Sequence, residues 1–139
     1  MGEARQVFDR FTAAMTRGDI DEVESLYAEE AVALSPEGDL QGRKEIVEYL
    51  RPFTEAFSDF RWEPLNSYED GNTALDEGWI CGVHTGPLPG PDGQPLPATG
   101  KSIRLRECDG VTVEDGLITT HRFYFDQMEL LGQLGVTPG

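Results

Sequence analysis

His84 and His121 are the chain's only histidines, and they bound the proton chemistry its side chains offer near neutral pH. Two His among scattered carboxylates show neither an i, i+4 pair nor a two-His-one-carboxylate spacing, so no metal site is expected. No G-x-G-x-x-G, Walker loop, Ser-His-Asp arrangement or C-x-x-C is present, and no cofactor is expected. Arg104 or Arg106 could grip a substrate carboxylate bidentately, or could pair with Glu and Asp on a solvated strand face. Trp62, Tyr68, Trp79 and Tyr124 suit the wall of a cavity for a flat ligand, and at strand spacing they suit a core equally. Asp126 stands where a strand gives way to a helix, the ordinary position of an N-cap.

The 139 residues hold 26 acidic and 11 basic side chains, a formal charge of −15. Nucleic-acid binding needs Lys and Arg to displace counterions from phosphates, so a field this negative repels DNA and RNA. Anionic membrane surfaces are excluded for the same reason. Aromatic content of 9% separates the chain from disordered acidic tails, and the length suits one domain over residues 1–139. Cys81 and Cys108 belong to no spaced framework and read as reduced thiols. With no signal-like apolar stretch after Met1 and no apolar run of spanning length, a cytoplasmic protein is expected.

The elements that must position these groups divide into a helical front and a strand-rich back. Ala4, Val7, Phe8, Phe11, Ala14 and Met15 recur at helical spacing. Gly18 ends that helix, and Asp19 with Glu22 opens a short second one. Ala31 to Leu34 reads as a short strand before the turn Ser35-Pro36-Glu37-Gly38. A third helix follows Gly42, and Pro52 should kink or split it. From Phe60 the period falls toward two, with Pro64 marking an edge or bulge and Asp70-Gly71-Asn72 a hairpin. A strand covers Thr73 to Thr85. Residues 86–97 carry five prolines and three glycines, which reads as a surface loop or lid without regular structure. Residues 101–108 form a strand, and 111–113 with 117–126 a last hairpin around Glu114-Asp115-Gly116, before a short helix at 127–134. On the last strand His121, Phe123 and Phe125 share one face, and Arg122, Tyr124 and Asp126 the other. The layout is α+β: a curved antiparallel sheet wrapped around N-terminal helices, leaving a cone-shaped cavity open at one end.

The stretch His121-Arg122-Phe123-Tyr124-Phe125-Asp126-Gln127-Met128-Glu129-Leu130-Leu131-Gly132-Gln133-Leu134-Gly135 resembles the C-terminal motif of SnoaL-like polyketide cyclases, of the nuclear transport factor 2-like superfamily. Gly82-Val83-His84-Thr85-Gly86-Pro87-Leu88 and Pro97-Ala98-Thr99-Gly100-Lys101 are similar to a second family segment. Gly18-Asp19, Leu26 to Val32 and Phe57-Ser58-Asp59-Phe60 match further pieces in order and spacing.

The resemblance implies a cone-shaped, cystatin-like barrel and a cofactor-independent acid/base enzyme. The expected reaction is an aldol-type ring closure on a carbonyl-rich aromatic or polyketide-like molecule. It implies Asp126 as the catalytic carboxylate, with His84 and His121 polarising substrate oxygens or holding that carboxylate. Trp62, Trp79, Tyr124 and Arg104 become candidate substrate contacts. The chain departs from the family at Ser102 and Arg104, where the cyclases carry Gln and His, and in Ala31 to Leu34, where they carry Asn. Binding without turnover therefore stays open, as does isomerase or epoxide-hydrolase chemistry on Asp76 or Glu77. A small hydrophobic or aromatic molecule and a second copy of the chain, docked through the sheet, are the expected partners.

Overall fold

The structure, a computed structural model, describes residues 2–90 and 92–136. Helix α1 (Glu3–Thr16) buries Ala4, Val7, Phe8, Phe11, Ala14 and Met15, the whole apolar stripe. The chain turns at Gly18, φ +72°, and the Asp19 carboxylate caps α2 (Ile20–Ser25) by accepting from the Glu22 amide at 3.1 Å. Strand β1 (Tyr27–Ser35) starts four residues before the expected one. Its register shifts between Tyr27 and Val32, and exposed Glu29 and Glu30 fall within that irregular part, so alternation shows only from Ala31. Strand β2 (Gly38–Gln41) folds back on it.

Helix α3 (Arg43–Ala56) passes through Pro52 as one element, where a kink or split was expected. The absent proline N–H would have met the Glu48 carbonyl, and Glu48 is exposed, so water can serve that carbonyl instead. Strands β3 (Phe57–Asp70) and β4 (Thr73–His84) make a long hairpin. Its ladder shifts between Ser58 and Arg61 and again at Pro64, which lies on the edge strand. Inside the Pro/Gly segment, β5 (Leu88–Pro89) and β6 (Pro95–Leu96) form a small ribbon, correcting the expectation of a wholly irregular loop. Gly90 N–H donates to the Gln94 carbonyl at 2.9 Å, and Gly93 supplies φ +80° for the turn.

Strand β7 (Ser102–Glu114) is continuous, joining the two pieces that the sequence suggests are separate. Gly110 does not break it: the Leu75 side chain comes within 3.0 Å of where a Cβ would stand, so the missing side chain is a packing space. Strand β8 (Leu117–Phe125) and helix α4 (Gln127–Gln133) complete the chain. The described residues form one six-stranded sheet, order β2-β1-β8-β7-β4-β3, antiparallel except for the parallel β1–β8 pair. The sheet curves around α1 and α3 and stays open, without closing into a barrel. No helix among the described residues is long and apolar enough to cross a membrane.

Gly78 lies where β4 meets the Pro64 bulge. A Cβ there would fall 2.2 Å from the Glu63 carbonyl oxygen and 2.9 Å from the Trp62 ring. Gly78→Ala is expected to cost about 1–3 kcal/mol in urea unfolding. Gly132→Ala, on α4 with nothing within 4 Å, is expected to be neutral or to stabilise by up to about 1 kcal/mol. Equal effects at the two sites would contradict this packing of β3 on β4.

Candidate active site

The inner face of β7 reads Ile103, Leu105, Glu107, Asp109, Val111, Val113, so two acids interrupt an apolar row. Strand alternation carries both toward the helices, and they enter the wall of a cavity between the sheet and α1 and α3. Phe8, Phe11, Leu50, Phe53, Phe60, Ile80, Phe123 and Phe125 give the rest of that wall its apolar character. Asp109 is 6% exposed, and its side chain lies within hydrogen-bonding reach of Glu107.

Burial pushes both carboxyls well above the ordinary carboxylate range. Asp109 raises Glu107 further, and the charge of Asp76 raises Asp109. The interaction between the two raises Glu107 and lowers Asp109, which favours the proton on Glu107. Two carboxyls so close hold one proton more easily than two charges.

Behind Asp109 stands a polar chain closed off from solvent. His121 Nε2 lies 2.5 Å from Asp109 Oδ1, and His121 Nδ1 lies 2.6 Å from the Tyr27 hydroxyl. Burial, helped by Arg122, holds His121 well below its ordinary pKa, so the ring is neutral. Burial and the Asp109 charge hold Tyr27 well above its own, so the phenol keeps its proton. Tyr27 therefore donates to Nδ1, and Nε2–H donates to Asp109. Phe8, Phe11 and Phe123 pack on the imidazole, Phe123 stacked at 4.0 Å. His121 is fully buried, so it positions Asp109 from behind.

Tyr27→Phe leaves Nδ1 a buried acceptor without its donor. It is expected to cost about 1–3 kcal/mol in denaturant unfolding and to change the His121 15N shifts. Unchanged stability and shifts would remove Tyr27 from the relay.

Asp76 also lines the cavity, but Arg5 of α1 donates to both its oxygens at 2.7 and 2.8 Å. Glu77 faces the outer side of the sheet, accepting from Asn66 at 2.7 Å and Tyr68 at 3.3 Å.

The residues singled out from the sequence come together only in part. Trp62 lines the cavity. Asp126 lies outside it: the side chain is exposed and caps α4, accepting from the Met128 amide at 2.8 Å. The strand-face parity of β8 explains this, since Asp126 follows Arg122 and Tyr124 away from His121. Trp79 and Tyr124 are on the outer sheet face, Tyr124 52% exposed. Arg104 stacks on Trp79 at 4.0 Å and donates to Glu63 at 3.1 Å, and Arg106 is occupied by Glu129.

His84 is buried at the end of β4, away from the carboxyl pair, where its Nδ1 accepts from the Thr99 amide at 3.1 Å. Burial lowers its pKa, and its backbone pairs with Gly100 and Lys101, so it fastens the base of the 86–100 segment. Among the described residues no group of three or more His, Cys, Asp and Glu could hold a metal ion.

The sequence profile of the SnoaL-like domain matches residues 8–121. The chain belongs to the SnoaL-like domain family. No curated protein matches it in sequence. Among solved structures it is similar to TsrD from Streptomyces laurentii, 23% identical over 97% of this chain and 96% of that one, with a TM-score of 0.80. IdmH from Streptomyces antibioticus, a candidate polyketide cyclase, is 22% identical over 97% of this chain and all of that one, TM-score 0.78. An LEH-like epoxide hydrolase of M. tuberculosis is 20% identical over 95% and 89%, TM-score 0.72. These likenesses show a shared fold. This chain's own residues define what the site can do.

Proposed function

We propose that this SnoaL-like protein is a cofactor-independent acid/base enzyme acting on a carbonyl-rich aromatic or polyketide-like small molecule. The observation that carries this reading is the Glu107–Asp109 pair, two carboxyls two residues apart on β7 in the wall of an apolar cavity. Asp109 takes the proton from a carbon flanked by carbonyls, its raised pKa bringing its basicity toward the task. The electron pair left on that carbon closes the ring on a second carbonyl, and Glu107 gives its proton to the oxygen that becomes negative. Transfer of a proton from Asp109 to Glu107 across their hydrogen bond restores the starting state. His121 and Tyr27 keep the Asp109 carboxylate aimed and its charge satisfied.

A simple probe separates catalysis from binding alone. The protein is expected to accelerate exchange of the C1 protons of 1-phenylbutan-2-one into deuterated buffer, followed by NMR. Saturable binding without acceleration would make the cavity a binding site and refute the enzyme reading.

A second copy of the chain is the partner we propose for the outer sheet face, where Leu65, Tyr68, Tyr124 and Met128 are each more than half exposed. Sedimentation is expected to give a dimer that Tyr124→Glu dissociates. A wild-type monomer would remove that proposal.

A further inference from the structure

Outside the carboxyl-lined cavity lies a groove walled by Pro52 of α3, Leu88 and Pro89 of the β5–β6 ribbon, and Leu131 of α4. Tyr49, Phe53, Phe125 and Leu130 line both spaces, so one layer of side chains separates them. Phe125 pairs directly with Glu107 across the β7–β8 ladder, and Tyr49 packs on Phe123 of the same strand. The partition therefore stands against the reactive pair itself. Tyr49 is held by a 3.3 Å hydrogen bond to Glu37 in the exposed β1–β2 turn and by ring contacts with Phe53 and Phe123.

The inner cavity has about 80 Å³ free and the groove about 300 Å³. Small-molecule sites ordinarily span about 300–1,000 Å³, so the inner space alone falls short of that range and the groove beside it supplies the room for the rest of a ligand. Among the described residues the charged groups lining the groove are Glu37 and Glu48, which disfavour an anion.

We infer that the groove is the outer compartment of the same site, taking an apolar tail that ends in a neutral or cationic group, while the carbonyl-bearing head lies against Glu107 and Asp109. The inference rests on the proposed use of the inner cavity, and it adds the shape and charge of the ligand. The substrate class is an elongated ketone, not a free acid, threaded past Tyr49 and Phe53.

The test uses 1-phenylalkan-2-ones with tails from butanone to nonanone, and ω-amino and ω-carboxy forms of the longest, with binding measured by calorimetry. Wild type is expected to bind the nonanone at least about tenfold more tightly than the butanone, and to prefer the amine over the acid. Leu131→Trp and Pro89→Trp fill the groove from two different elements, and each is expected to abolish the gain with tail length while leaving butanone binding unchanged. Glu37→Gln with Glu48→Gln is expected to abolish the preference for the amine. Butanone binding without any gain for longer tails would overturn the groove while leaving the inner site standing. Gain that persists in both tryptophan variants would also overturn it. Failure of every ketone to bind would remove the inner site and the groove together.

Discussion

Asp109→Asn is expected to slow exchange of the ketone's C1 protons by about 10²–10⁴-fold while the ketone still binds. The asparagine oxygen can accept from His121 Nε2–H as the aspartate does, so the packing around the imidazole is retained. What is lost is the basic lone pair. Asp126→Asn is the matching control. Asparagine caps a helix as well as aspartate, so both the α4 cap and the exchange rate should survive. The two carboxylates thus make opposite predictions in one assay. A slow Asp126→Asn and an active Asp109→Asn would return the chemistry to the helix cap and refute the cavity assignment.

Glu107→Gln is expected to raise thermal stability while exchange falls. Burial makes the charged forms of Glu107 and Asp109 costly, so their folded pKa values lie above the unfolded ones, near 4.5 and 3.8. The unfolded chain releases those protons first. The stability this pair contributes is therefore present below the unfolded values and is lost as pH rises through the folded ones. His121 and His84 act in the other direction. Their folded values lie below 6.5, so stability is lost as pH falls beneath that value. Glutamine keeps a donor toward Asp109 and removes one titrating group. The gain should be about 0.5–2 kcal/mol, a common size for relief of a strained functional site. Calorimetric melts between about pH 5 and pH 8 should show the difference from wild type widening as pH rises. A variant less stable than wild type across that range would show that Glu107 is a structural acid.

Most of the scaffold was legible. The α1 stripe, the Asp19 cap and the Gly71 turn all follow from residue spacing, because each depends on a few neighbours in sequence. Half of the carboxyl pair was hidden by where the strand was ended. A strand ending at Cys108 already puts Glu107 on the face of Ile103 and Leu105, but it leaves Asp109 outside and breaks the row that runs on to Val111 and Val113. Read as one strand, the alternation from Ile103 to Val113 puts both acids on the apolar face. Packing of Leu75 over Gly110 is a tertiary contact that no local rule announces. Arg5 was equally hidden, since its partner Asp76 is 71 residues away. His121 carried its signal in plain view, sharing a strand face with Phe123 and Phe125.

Glu107 and Asp109 are expected to behave as one proton-sharing pair at neutral pH. Carboxyl 13C shifts of the two residues, followed by NMR across the pH range, test it most directly. The expected result is coupled titration, with one proton lost only well above the ordinary carboxylate range and both signals responding to it. Two independent transitions near the ordinary values of 4.5 and 3.8 would contradict it.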